Sequence, residues 1–327
     1  MKCINKEHIT GKNIKTAASI AVILILIIIE LCSCGHSVFN DKFKAADMAD
    51  KYISLASDGI NPGLINFANE NVNTVYANSA LMYDISDNKL LYSKNINDKL
   101  YPASTTKVLT AYCTLKHGNL KDRITVSENC VNLERGASIC GFKVGDKPTL
   151  EEALYGLMTC SGNDAAIAIA EHISGSVEAF ADLMNKEAAA LGATHTHFTN
   201  PHGLHEKDHY TTPQDLYLIF KATVENPRFR EILTHSSYTA DVPNVNGDTR
   251  KLTWSSTNRY LTNASFKPRT VDILGTKTGY TNEAGACLVT LGLDHYGKEY
   301  ITVIMKTTDP GTVFLETTDM YNTLVKK

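Results

Sequence analysis

The chain has 327 residues, 43% of them hydrophobic and 20% charged, a balance that excludes a disordered tail, a collagen-like fibre and a small disulfide-stapled domain. Its 32 Lys and Arg stand against 35 Asp and Glu, giving a net charge of −3. Without a basic excess to displace counterions from a phosphate backbone, the expectation is no nucleic-acid partner.

In chain order, Lys2, Lys6, Lys12 and Lys15 precede an unbroken apolar run from Ala17 to Ile29. That run is shorter than the ~20 residues that cross a bilayer as a helix, but it fits the hydrophobic stretch of an export signal. Leu31-Cys32-Ser33-Cys34-Gly35 follows and resembles a lipobox, in which the signal is cut before a cysteine that then carries lipid. The expectation is an exported protein held at a membrane's outer face, by lipid on Cys34 or by an uncleaved anchor, with plain secretion as the third outcome. Residues 1–33 are then signal or anchor, 34–77 a linker or stalk with one helix over 43–55, and 78–327 the working domain.

Ala80–Asp84 and Leu90–Tyr92 are apolar, strand-length runs that predict a hairpin through Ser86-Asp87-Asn88-Lys89. Pro102-Ala103-Ser104 opens a helical pattern, with Val108, Leu109, Tyr112 and Leu115 on one face and a stop at Gly118. Thr149 with Glu152 three residues on predicts a capping box. Ala165 to Ala170 is apolar on every side, as in a buried helix, and a further helix runs from about Val177 to Leu191. Thr212-Pro213-Gln214-Asp215 is another helix start. Strands are predicted at Ile273–Lys277, Ala286–Leu293 and Tyr300–Met305, and a last helix near Val313–Val325. Strands at both ends with helices between them predict an α+β fold: one antiparallel sheet formed by both ends of the chain, with an inserted helical subdomain.

Eight cysteines are present, three of them (Cys3, Cys32, Cys34) in the export segment. The remaining Cys113, Cys130, Cys140, Cys160 and Cys287 are odd in number and contain no CxxC pair, so buried free thiols are expected rather than a disulfide framework.

Ser104-Thr105-Thr106-Lys107 sets a hydroxyl at a helix start and an amine one turn later on the same face, the parts needed for nucleophilic catalysis. Ser86 and Lys89 have the same spacing but lie in a hairpin turn. Ser161-Gly162-Asn163 sits between two helices, and Lys277-Thr278-Gly279, which occurs once, ends a strand.

Taken together, Pro102–Lys107, Ser161–Ala166 and Lys277–Thr281 resemble the three signatures of the serine D-alanyl-D-alanine carboxypeptidases, the low-molecular-mass penicillin-binding proteins. Gly141–Asp146, Asn200-Pro201-His202-Gly203-Leu204 and Ala284-Gly285 support the likeness, which covers about residues 78–306. The resemblance implies a β-lactamase/transpeptidase-like fold on the outer face of a bacterial membrane or in the cell wall. It implies a peptidoglycan stem peptide as substrate, β-lactams as inhibitors, and neither cofactor nor metal. It implies that Ser104 attacks the penultimate D-Ala, Lys107 is its base, Ser161 relays the proton, and Asn163 positions Lys107 and the substrate amide. Lys277 and Thr278 would receive the terminal carboxylate, with Arg259 as a second partner. Gly279 would admit the substrate to the strand, and the N–H groups of Ser104 and Tyr280 would form the oxyanion hole.

Several positions depart from the family pattern. Cys160 precedes Ser161, Asp87-Asn88 replaces a Gly in the first hairpin, and Lys306-Thr307-Thr308-Asp309 replaces a Gly-rich basic turn. Alternatives are an endopeptidase, a β-lactamase or a non-catalytic β-lactam sensor. No Glu from 164 to 276 has Asn four residues later, so a class A deacylating loop is not expected. A zinc peptidase could draw on His195, His197, His202, His205 and His209, but no His-Glu-x-x-His occurs and the turn residues among them favour a polar loop.

Overall fold

The structure is a computed structural model that describes residues 71–326. In chain order, β1 (Ser79–Asp84) and β2 (Lys89–Lys94) lead to a 3-10 turn at Ala103–Thr106 and then α1 (Lys107–His117). The helical part comprises α2 (Glu128–Val131), α3 (Leu150–Thr159), α4 (Asn163–Ser174), α5 (Val177–Ala190), α6 (Pro213–Val224) and α7 (Pro227–Thr234). A hairpin of β3 (Ser237–Pro243) and β4 (Thr249–Ser255) and a short α8 (Arg259–Thr262) come next. The chain closes with β5 (Val271–Thr281), β6 (Gly285–Asp294), β7 (Glu299–Thr307) and α9 (Thr312–Leu324).

Five strands form one sheet in the order β2-β1-β7-β6-β5, with every neighbouring pair antiparallel. The two ends of the chain therefore do build one sheet around inserted helices. Both faces are covered, and the two-residue period of a strand divides its side chains between two cores. Leu81 and Tyr83 join Val289, Ile301 and Val303 on the helical side, whereas Ala80 and Met82 meet Leu288, Ile304, Phe314 and Met320 beneath α9. That division explains why all six residues of β1 are buried although they alternate in direction.

Local signals set the element ends. Thr149 Oγ1 accepts from the Glu152 N–H at 3.1 Å and Glu152 Oε2 accepts from the Thr149 N–H at 2.7 Å, closing the capping box on α3. Residues 163–170 of α4 are all buried, as its apolar circumference requires, and the helix stops at Gly175 with φ +84°. Asn88 takes φ +52° in the β1–β2 turn, the left-handed conformation that Asn tolerates in place of Gly.

The structure adds three helices that were not expected, α2, α7 and α8, and differs from the sequence reading elsewhere. Strand β5 does not end at Lys277 but continues to Thr281, because its ladder with β6 runs on through Thr278↔Leu288 and Gly279↔Cys287. Ser104 lies in the 3-10 turn that precedes α1 rather than in its first α-helical turn. The β3–β4 hairpin was not expected; Ala240, Val242 and Trp254 are buried in alternation, but Pro243 and the polar residues around them mask the period. Residues 71–77, counted with the stalk, pack on the domain: the N–H groups of Asn73 and Tyr76 donate to Asp319 and Glu316 of α9, and Lys94 Nζ donates to the carbonyls of Thr74 and Ala77. The export segment and the helix expected over 43–55 lie outside the described residues. Among the described residues, no helix is long and apolar enough to cross a membrane.

Because the capping box satisfies two orphan donors of α3, Thr149→Ala is expected to lower stability by about 1 kcal/mol. Urea unfolding should show a lower midpoint at unchanged slope.

Candidate active site

Strand β5 is at an edge of the sheet, and one side of it is free to face the turn that carries Ser104. The approach is close: a Cβ at Gly279 would lie 2.8 Å from Ser104 N and 2.9 Å from Pro102 O. Glycine is therefore required there by backbone contact. From the helical side, the α3–α4 junction brings in Ser161 and Asn163. The three segments meet around two fully buried lysines.

Lys107 Nζ lies 2.9 Å from Ser104 Oγ, 2.6 Å from Asn163 Oδ1 and 2.6 Å from the carbonyl of His202. Lys277 Nζ donates to Ser161 Oγ at 3.0 Å and to the carbonyl of Thr278 at 2.8 Å. Thr278 Oγ1, half-buried, donates to Thr257 Oγ1 at 2.9 Å. The sequence-predicted Ser104, Lys107, Ser161, Asn163, Lys277, Thr278 and Gly279 are thus brought to one place.

The charges follow from burial. An ammonium held away from water loses hydration, and burial, followed by the nearby Lys277 charge, pulls Lys107 well below the usual lysine range. Burial also brings Lys277 down to about 7. Two adjacent buried amines do not both hold a proton readily, and the direction is clear: Lys107 gives up its proton first. A neutral Lys107 has two N–H donors, which suit Asn163 Oδ1 and the His202 carbonyl, and one lone pair, which faces Ser104 Oγ. That arrangement makes an amine that can accept the serine proton.

Backbone strain is present in both turns that carry the hydroxyls. Ala103 has φ +47° and Ser161 φ +62°, conformations unfavourable for a residue with a Cβ. Ala103 is held by close backbone contact, since a Cβ at Gly203 (φ +86°) would stand 1.9 Å from its carbonyl oxygen. The Asn200–Gly203 loop is itself tied down: Asn200 Oδ1 accepts from the Gly203 N–H at 2.7 Å, and Thr110 Oγ1 donates to the Pro201 carbonyl at 2.6 Å. On the other side, Asp164 accepts the N–H groups of Cys140, Gly141 and Phe142 at 2.7, 2.9 and 3.1 Å. The loop so held returns the favour at Ser138, whose carbonyl accepts the Asn163 N–H at 2.8 Å.

Two of the expected carboxylate partners differ in setting. The Arg259 guanidinium is exposed and stacks over Phe266 and Phe314, 5.9 and 5.8 Å from their ring centres. Lys277 is wholly buried and its described bonds are internal, so its charge lies behind the Thr278 hydroxyl instead of at the surface. Tyr280 follows Gly279 on β5 with its side chain about half exposed. The sequence reading did not find the His202 carbonyl or Thr257. A carbonyl has no residue-type signal, although its Asn-Pro-His-Gly string was singled out.

The histidine-rich segment is a loop with separate local partners. His209, pushed down to about 3 by burial and then by neighbouring positive groups, accepts the Thr199 N–H at Nδ1 and faces Thr106 Oγ1 through Nε2 at 2.8 Å. His205 packs edge-on against Tyr101, and His197 Nδ1 donates to the Asp208 carbonyl.

Residues 66–309 match the family described as Peptidase S11, D-alanyl-D-alanine carboxypeptidase. The chain is similar to D-alanyl-D-alanine carboxypeptidase DacF of Bacillus subtilis, 37% identical over 217 residues that cover 65% of this chain and 53% of the relative. It is also similar to the D-alanyl-D-alanine carboxypeptidase of Streptomyces sp. strain K15, 34% identical over 67% of this chain and 76% of the relative. The chain spans about half the length of its Bacillus and Escherichia coli relatives. Among solved structures it resembles the Streptomyces K15 DD-transpeptidase, with TM-score 0.71 and 30% identity over 77% of this chain and 97% of that one. The fold is thus the β-lactamase/transpeptidase-like one.

Replacing Lys277 by Met keeps the stem but removes the charge that presses on Lys107. Lysine ε-CH2 NMR should show two down-shifted lysines in the native protein, and in Lys277→Met the one that remains should titrate at higher pH than the Lys107 signal of the native protein. An unmoved titration would mean that burial alone sets the Lys107 amine.

Proposed function

Because the chain belongs to the D-alanyl-D-alanine carboxypeptidase family of serine peptidases, we propose that it removes the terminal D-Ala from peptidoglycan stem pentapeptides through an acyl-enzyme on Ser104. The observation that carries this reading is the buried amine of Lys107, 2.9 Å from a half-buried serine hydroxyl and relieved of its proton by burial. Ser104 Oγ attacks the carbonyl carbon of the penultimate D-Ala while its proton passes to Lys107 Nζ. The N–H groups of Ser104 and Tyr280 receive the developing oxyanion. As the tetrahedral centre collapses, Ser161 hands a proton to the departing amine and recovers one from the lysine pair. Water, deprotonated by Lys107, then releases the shortened peptide.

The terminal carboxylate is assigned to the hydroxyls of Thr278 and Thr257, with the Lys277 charge directly behind them. Lys277 thus acts through its field and through Ser161, and the exposed Arg259 guanidinium is a second partner for the carboxylate. β-Lactams acylate the same serine, and their opened ring keeps the leaving amine in place to obstruct water. Slow release is expected, since no Glu from 164 to 276 has the class A spacing to Asn. The residues N-terminal to the domain export the protein and tether it outside the membrane through lipid on Cys34.

The purified protein should release free D-Ala from a pentapeptide ending in D-Ala-D-Ala, and faster than it cleaves a cross-linked dimer. Ser104→Ala should abolish both release and covalent labelling by penicillin. Labelling without release would point to a sensor, and faster cleavage of the dimer to an endopeptidase. Mass spectrometry of the mature N-terminus should find lipid on Cys34, whereas retention of residues 1–33 would indicate an uncleaved anchor.

A further inference from the structure

Cys160, the residue immediately before Ser161, and Cys140, in the loop that Asp164 holds, place their sulfurs 3.6 Å apart. The other described cysteines have no such neighbour: Cys113, Cys130 and Cys287 are buried singly, and burial pushes Cys130 up to about 11 and Cys287 to about 12. We propose that Cys140 and Cys160 are a dithiol site that a small or protein disulfide oxidises to an intramolecular disulfide, and that closure slows acylation of Ser104.

The two thiols have distinct parts. Cys160 is half-buried and its thiol is drawn below the usual range, first by a hydrogen bond from Cys140 and then by the Lys277 charge. Cys140 is buried and pushed the other way. The Cys160 thiolate attacks one sulfur of the incoming disulfide and expels the other as a thiolate. Cys140 then attacks the Cys160 sulfur of the mixed disulfide and expels the second thiolate, which takes the Cys140 proton. Overall, two protein thiols become one disulfide, and one external disulfide becomes two thiols.

Closure cannot be local. The sulfurs must approach from 3.6 Å to about 2.05 Å, and the surroundings of Cys140 leave it little freedom. Its N–H donates to Asp164, its carbonyl accepts from Trp254 Nε1 at 2.9 Å, and its sulfur lies against the α3–α4 junction. A Cβ at Gly156 or Gly162 would stand only 2.4 or 2.2 Å from that sulfur. Cys160 carries the movement directly into Ser161, whose backbone is already strained at φ +62°, and hence to the Ser161–Lys277 bond. Gly162 packing on Cys140 couples the same movement to Asn163, which fixes Lys107.

Trp254 is the single tryptophan of the chain and bonds to Cys140, so its fluorescence reports on the pair. The purified protein is reduced, then exposed to oxidised glutathione, and analysed by intact mass, peptide mapping, tryptophan emission and the rate of penicillin labelling. The expected result is the loss of two hydrogens, a Cys140–Cys160 cross-linked peptide and changed emission, all reversed by dithiothreitol. Labelling of Ser104 should slow by about 10-fold or more, since misplacing an attacking group by ~1 Å costs up to ~10²-fold. Cys140→Ala and, separately, Cys160→Ala should label at a rate that oxidised glutathione no longer affects through a cross-link. Absence of the cross-link, with both thiols free or glutathionylated, overturns the proposal. A cross-link without slower labelling overturns the effect on acylation. That effect rests on Ser104 as the nucleophile. Failure of the reduced protein to label would therefore overturn the functional reading, while mass and emission still decide whether the dithiol closes.

Discussion

The rest of the site depends on taking one amine out of water. Lys107 starts α1 with its side chain wholly buried, and burying an ammonium without full compensation costs several kcal/mol. The fold meets this constraint by lowering the amine's pKa and surrounding it with three polar partners, from the Ser104 turn, α4 and the Asn200–Gly203 loop. Each partner comes from a different part of the chain, so the amine that organises the chemistry also ties three segments together. Its neighbour Lys277 adds a second constraint, because two cations this deep repel, and the one bonded to Ser161 keeps its proton longer.

The sheet supplies rigidity where the reactive hydroxyl is set. Both faces of the central strands are packed, so β5 is held from behind through β6 while its outer edge remains available. Ser104 rests against that edge at a distance only glycine permits at position 279. The unfavourable φ values at Ala103 and Ser161 persist because packed elements over-determine them: the 203 loop on one turn, the Asp164-held loop on the other. Strain and rigidity are complementary here. A hydroxyl presented by a relaxed, mobile turn would pay orientation entropy at each turnover.

Polar satisfaction in the second layer links the site to the surrounding helices. Asp164 follows Asn163 and spends its carboxylate on three consecutive backbone N–H groups, so the same helix start both positions the amine and anchors the loop bearing Cys140. The Cys140–Cys160 contact lies between these two duties, which is why chemistry at the sulfurs would be felt at Ser161 and Asn163 together.

Residue type and spacing by themselves determined most of the elements. The all-apolar circumference of α4, the Thr149–Glu152 box and the apolar runs at both ends are local properties, and these elements appear there, with β5 running four residues beyond its expected end. Ser104 and Lys107 were legible as a hydroxyl at a helix start with an amine one turn on, whereas Ser161, Asn163 and Lys277 were picked out by the resemblance to the three family signatures. Tertiary structure alone decided what depends on distance between strings. One of the two acceptors on Lys107 is a backbone carbonyl from 95 residues away, with no side chain to announce it. That Arg259 lies over two phenyl rings depends on α9, far along the chain, which supplies Phe314. The β3–β4 hairpin was hidden because its half-exposed strands carry a weak apolar period, and it is the ladder from Ser237↔Ser255 to Pro243↔Thr249 that makes it a sheet. Cys140 and Cys160, twenty residues apart and without a recognisable spacing, became a pair only when Asp164 drew the loop onto the helix that follows Ser161.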